Sequence, residues 1–193
     1  SVSENLSRAR PPSARDAESS GAGPASAPAC MTTDELFRRH APFVARLLHR
    51  LGVPTREIDD VVQQVFVVVH RHGGYVHGPA TPTSYLGAIA VKAASSARRR
   101  DGAQRSRQAG YGPELLASTG RDPVTVLAVR PELSQLQAAL DQMDPDLRAL
   151  LVLTELEGES CAAIATSQGI PVGTVYWRAH RARKQFRQIV QRL

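Results

Sequence analysis

Apolar residues enter the chain with a regular rhythm only after Asp34. Leu36, Phe37, Phe43, Val44, Leu47, Leu48 and Leu51 recur at spacings of three, four and seven, which predicts one buried helical face, and Gly52 ends it. Ile58, Val61, Val62, Val65, Phe66 and Val69 draw the stripe of a second helix that Gly73 and Gly74 close. Its valines favour strands taken singly, but the length and spacing of the stripe favour helix. A loop with Gly78, Pro79 and Pro82 follows, then a third face of Tyr85, Leu86, Ile89, Ala90, Ala93 and Ala97, running into Arg98, Arg99 and Arg100.

Residues 101 to about 131 carry four glycines or prolines in their first half alone and little sustained periodicity, the pattern of a linker. The rhythm resumes at Leu133, Leu136 and Leu140. Asp144 and Pro145 then supply an N-cap and a first-turn proline for a helix with Leu147, Leu150, Leu151 and Leu156, stopped by Gly158. Ser160 caps a short helix through Ala165, Gly169 turns the chain, and a long basic helix runs from about Val172 toward Leu193. The expected fold is all-α without strands: two small helical domains, residues 33–100 and 132–193, joined by the flexible linker. Residues 1–32, rich in Ser, Ala, Pro and Gly, lack the apolar content to repay ordering and read as a disordered tail. Met31, directly before the first patterned segment, makes that tail a possible artefact of start-site assignment.

Charge narrows the partner. A net charge of +6 favours a polyanion, nucleic acid before anionic lipid. No apolar run of transmembrane length and no signal-peptide core occurs, so the expectation is a cytoplasmic protein without membrane insertion. Cys30 and Cys161 lack paired zinc-site spacing and are read as free thiols. No metal or cofactor is expected.

The signs of charge are segregated in the second domain. From Ser160 to Leu193 there is no acidic residue, while Arg178, Arg181, Arg183, Lys184, Arg187 and Arg192 are all present; Asp141, Asp144, Asp146, Glu155, Glu157 and Glu159 sit just before. A solvated face normally mixes both signs, so this one suits DNA. A short capped helix, a glycine turn and a second helix starting near Thr174 match a helix-turn-helix whose second helix enters the major groove. Val175, Ala179, Ala182, Phe186 and Ile189 share the core side, leaving Tyr176, Trp177, His180 and Arg181 outward. Trp177, the sole tryptophan, suits a core anchor equally well. Thr174 is a candidate for a phosphate contact through its backbone at the helix start.

On the second helix Asp60, Gln63, Gln64, Val67 and Val68 fall outside the buried stripe, a mixed surface suited to a protein partner unless the valines pack under neighbouring helices. Catalysis finds little support. Asp59, Asp60, His70 and His72 do not repeat on one helical face, and no nucleophile motif or phosphate-cradling glycine loop occurs.

Three segments, DDVVQQVFVVVHR, SYLGAIAVKAASSARRR and LEGESCAAIATSQGIPVGTVYWRAHRARKQF, resemble the extracytoplasmic-function sigma factors, over about Asp34 to Leu193. The resemblance implies a non-enzymatic factor that joins RNA polymerase core to promoter DNA, its two domains being regions two and four. It implies that Asp60, Gln63, Gln64 and Phe66 dock on the clamp helices of the beta-prime subunit, Phe66 mainly by packing. The loop from Gly74 to Thr83 would accept a flipped base of the minus-ten element, with Tyr75 or Tyr85 stacking on it, while Lys92, Arg98, Arg99 and Arg100 hold adjacent DNA. Tyr176, Trp177, His180 and Arg181 would read minus-thirty-five bases, with Arg183 and Lys184 on phosphates. An anti-sigma protein is the implied antagonist. The chain departs from the family in having Gln64 for a frequent Glu, Lys92 and Ser96 for Asn and Asp, alanines for the usual acids before Ile164, and Cys161 for a common aromatic. The alternative is a helix-turn-helix repressor or response-regulator output domain that works without polymerase.

Overall fold

The computed structural model describes residues 30–108 and 131–193. Two groups of helices share one continuous apolar core. The first group holds α1 (Thr33–Arg50), α2 (Ile58–Arg71) and α3 (Pro82–Gln108), each packed on the other two. The second holds α4 (Pro131–Asp141), α5 (Pro145–Leu151), α6 (Cys161–Gln168) and α7 (Val172–Val190), with α7 against α4, α5 and α6.

Local chemistry sets the helix ends. Thr32 accepts from the Glu35 backbone N–H while the Glu35 carboxylate accepts from the Thr32 N–H, a capping box that starts α1. Those bonds also hold the Glu35 carboxyl below its ordinary pKa. Asp144 caps α5 through the N–H groups of Asp146 and Leu147, Ser160 caps α6 through that of Ala163, and Gly169 ends α6 at φ 66°. Between α5 and α6 the chain makes a π-turn, Val152–Leu156, before Gly158.

Four expectations are corrected. Cys30–Met31 (β1) and Tyr75–Val76 (β2) pair antiparallel, so short strands exist and the ordered chain begins before residue 33. The pairing explains a glycine: at Gly74, φ +95°, a Cβ would lie 2.5 Å from the Met31 carbonyl oxygen. Second, α3 does not stop at Arg100. Buried Asp101 accepts from Arg56 of the α1–α2 connection and from Arg105 one turn on, carrying the helix to Gln108. The rest of the expected linker, like residues 1–29, lies outside the described residues. Third, Phe37 is exposed and lies edge-on to Phe66, ring centroids 5.0 Å apart. Fourth, Val68 is buried and Val67 alone of that pair faces outward.

The two groups meet along α3. From Ser84 to Ala90 every residue is buried, because α1 and α2 cover one side and the second group covers the other. Gly87 permits the approach: a Cβ there would stand 2.8 Å from Leu153 Cδ2. Arg148, 2% exposed, donates from Nε to the Arg50 carbonyl at 2.6 Å, satisfying an orphan acceptor at the end of α1. Arg50 pairs with Glu157, and Glu159 accepts from the hydroxyls of Thr81 and Thr83.

Candidate nucleic-acid interface

On α7 the sequence periodicity is realised in space. Val175, Ala179, Ala182 and Ile189 are buried, Phe186 is half-buried, and Tyr176, Trp177, His180 and Arg181 are exposed. Trp177, at 59% exposure, is no core anchor. Its ring instead carries the Arg181 guanidinium, whose Cζ lies 5.0 Å from the ring centroid. The stack holds a five-donor cation at a fixed height above the helix. Such a cation can form paired hydrogen bonds with a guanine edge.

Two phosphate assignments change. The Thr174 N–H donates to the Pro171 carbonyl at 3.0 Å, so it is not available to a phosphate; the N–H groups of Val172 and Gly173 precede that bond, and no side chain caps the helix. Arg183 pairs with Glu155 through Nε at 2.9 Å and is partly neutralised. Lys184 is exposed, as are Arg178 and Arg187, and none of these has an ion-pair partner among the described residues. Sequence reasoning left Arg178 and Arg187 without a role, although the absence of acids around them was the available signal.

The loop between α2 and α3 is built differently. Tyr75 and Tyr85 are buried, at 4% and 5% exposure, with ring centroids 5.7 Å apart. Neither has a free face for a base in this arrangement, which corrects their expected stacking role. They are pillars: Tyr75 donates to the Ala80 carbonyl, and the Tyr85 hydroxyl lies 3.1 Å from His72 Nδ1. Burial raises the Tyr85 phenol to about 12, and burial together with Lys92 lowers the His72 pKa. What the pillars present outward is Val76, His77, Gly78 and Pro79, with His77 edge-on to Tyr75 at 5.3 Å. His77 escaped the sequence reading; its place between the Gly73-Gly74 pair and Gly78-Pro79 was the signal for a loop tip.

Thr81 caps α3 by accepting from the Ser84 N–H at 2.9 Å, and Ser84 accepts from the Thr81 N–H at 3.0 Å. Farther along α3, Lys92 and Arg98 are half-buried and Arg99 and Arg100 exposed; burial lowers the Lys92 pKa. On α2, Asp60 and Gln63 are exposed, Gln64 is half-buried, and Phe66 is covered but in contact with exposed Phe37. Phe37 and Val67 thus add an apolar component to the Asp60–Gln63 face.

Comparison with known proteins decides the family. The sigma-70 region 2 model matches residues 36–104 and the sigma-70 region 4 model residues 133–186. RNA polymerase sigma factor CarQ of Myxococcus xanthus is 32% identical over 83% of this chain and 90% of its own length. The chain belongs to the sigma-70 family. It is an RNA polymerase sigma factor of the extracytoplasmic-function type, like the ECF sigma factor SigE of Mycolicibacterium smegmatis, 32% identical over 80% of this chain. The chain spans 60% of the length of SigE. The fold is shared with two solved structures: CnrH in complex with the cytosolic domain of CnrY (TM-score 0.58, 22% identity, 82% of this chain, 87% of that one), and RpoE of Bartonella quintana with the anti-sigma factor NepR (TM-score 0.59, 18% identity, 82% of this chain, 96% of that one). The region 2 match sets aside the repressor reading, which gave the first domain a sensing or dimerising role.

Proposed function

We propose that this chain binds RNA polymerase core and directs it to promoters, reading the minus-ten element with the first helical group and the minus-thirty-five element with α7. The observation that carries the reading is the outward row of Tyr176, Trp177, His180 and Arg181 on an acid-free helix, in a chain whose other half matches region 2. The face of Asp60, Gln63 and Gln64, widened by Val67 and Phe37, is assigned to the beta-prime clamp helices. Phe66 supports that face from beneath. Arg98, Arg99, Arg100 and Lys92 are assigned to promoter phosphates, and His77 to the melted strand at the loop tip. Arg178, Lys184 and Arg187 suit the duplex backbone.

We assign the chain binding, not catalysis, because both of its matched regions are those of sigma factors; among the described residues no cluster of His, Cys, Asp and Glu is placed to hold a metal. Among those residues no helix is long and apolar enough to cross a membrane, and we assign the protein to the cytoplasm with polymerase. An anti-sigma protein, of the kind bound to RpoE of Bartonella quintana, is the expected antagonist. Reconstituted transcription on a genomic library tests the reading. Chain-dependent transcripts with core polymerase are expected, and none at all overturns it. A gel shift gives specific retention only with core present.

A further inference from the structure

Residues 30 and 31 lie before the first helix, yet they are folded onto the loop proposed to meet the melted minus-ten strand. Cys30 stands opposite Val76 and Met31 opposite Tyr75. The pleat is consistent across the pair: Met31 and Tyr75 are buried, while Cys30 and Val76 are exposed. Beyond Met31 the course of the chain is set at once, because Thr32 is the N-cap of α1 and its capping box with Glu35 fixes the exit of the strand. Exposed Phe37, on the second turn of α1, belongs to the face assigned to polymerase.

The loop needs such a partner. Its first limb leaves α2 through Gly73 and Gly74, at φ 80° and 95°, two residues with no side chain to fix their conformation. Two side-chain bonds act within the loop, from Tyr75 to the Ala80 carbonyl and from Tyr85 to the Gly74 carbonyl at 3.5 Å. Neither engages the backbone of Val76, which leads into the tip and is paired with Cys30. At Gly74 a side chain is excluded twice, by the positive φ and by the Met31 carbonyl oxygen, so the approach of β1 is built into the limb. A pair of two-residue strands is marginal by itself. Its consequence is for the shape of the loop.

We infer that Cys30 and Met31 are positioning residues for promoter reading: their pairing with Val76 and Tyr75 holds the first limb of the loop, so that His77 and Gly78 at the tip meet the melted strand in one shape. The inference rests on the proposed minus-ten role of that loop. Met31 anchors the strand through its buried side chain, and Cys30 acts through its backbone. A base that meets a loop already held in place does not have to order it, and ordering opposes binding. The strand also joins the loop to α1, so the tip keeps its place relative to Phe37. The reading unit of region 2 therefore starts at Cys30, before α1 begins.

The test uses holoenzyme of the full chain on fork DNA in which each minus-ten base is varied. Cys30→Pro with Met31→Pro removes both N–H groups of the strand. It should lower the preference for the favoured base at the flipped position by about tenfold, the scale of one well-made base contact. Core affinity and minus-thirty-five discrimination should stay native, and Met31→Leu, which keeps the strand and a buried apolar side chain, should retain the preference. An unchanged minus-ten preference in the proline variant overturns the inference. Because that variant also loses a core side chain, circular dichroism melts accompany it, and a second variant keeps the packing. Val76→Cys with Cys161→Ser leaves Cys30 opposite one new thiol. Once cross-linked, its holoenzyme should discriminate minus-ten bases as well as it does after reduction. Failure to cross-link, or discrimination recovered only on reduction, means that the strand is off the loop during reading and overturns the inference. Native holoenzyme without any minus-ten preference overturns the loop's proposed role, and chain-dependent transcription scored in parallel separates that failure from failure of the strand's.

Discussion

The two parts of this chain proposed to read DNA are built in opposite ways. On α7 the residues proposed to read bases are the exposed face of a regular helix, and the core residues of that helix are different ones. At the α2–α3 loop, the aromatics that suit a base by chemistry, Tyr75 in the loop and Tyr85 at the start of α3, are consumed in holding the loop's shape, and the tip is left to Val76, His77 and Pro79. A helix separates reading from folding by periodicity. An irregular loop has no spare face, so its large side chains fold it and its small or polar ones meet the ligand.

The sharpest way to break that contrast is to remove a pillar. Tyr85→Ala should destabilise the first helical group by about 3–4 kcal/mol, as buried aromatic truncations do. A guanidinium melt followed by hydrogen exchange checks it, with protection of α7 retained. Tyr85→Phe keeps the ring and loses only the bonds to His72 and Gly74, costing about 1 kcal/mol. Should Tyr85→Ala leave stability intact while abolishing promoter melting, the tyrosine reads DNA and the contrast fails.

Next in size is the reading face itself. Arg181→Ala should cost about 1–3 kcal/mol at the preferred minus-thirty-five sequence and relax discrimination at one or two base pairs, without moving the melting temperature. Trp177→Ala should reproduce much of that loss because it removes the platform under the guanidinium. Holoenzyme binding to a library of minus-thirty-five variants measures both. Lys184→Ala should weaken all sequences alike and lower the salt slope by about 1, whereas Arg183→Ala should do less, since Glu155 already occupies that guanidinium.

The smallest expected effect is a pH dependence confined to the first group. His72 has a folded pKa below its ordinary 6.5, first because burial disfavours its charged form and then because Lys92 is near. The unfolded chain therefore binds the proton more readily. Its contribution to stability is present above about pH 6.5 and fades as pH falls through the lowered folded value. Partly buried His40 shifts the same way. A melting temperature that drops between about pH 7.5 and 5.5, less steeply in His72→Gln, is the expected observation; a drop of equal slope in that variant assigns the effect elsewhere.

The sequence by itself determined whatever repeats or is local. Stripes of apolar residues placed the helices, Asp144 and Ser160 announced their caps, and the periodicity after Ser160 marked which residues of α7 point out, on a run free of acids. Each is set by neighbours within a turn or two, so spacing encodes it. Tertiary structure decided what depends on partners far along the chain. Whether Tyr75 and Tyr85 are buried rests on which elements close over them, and Trp177's exposure on the cover that Val175 and Ala179 already find. The helical course of residues 101–108 depends on Arg56, distant in sequence, and the need for glycine at 74 on the strand from Cys30. The docking of Arg148 on the end of α1 joins residues 98 apart in sequence, and no local pattern announces a bond of that kind. Burial is a property of the assembled surface, and a residue's own spacing fixes only the face it is offered on.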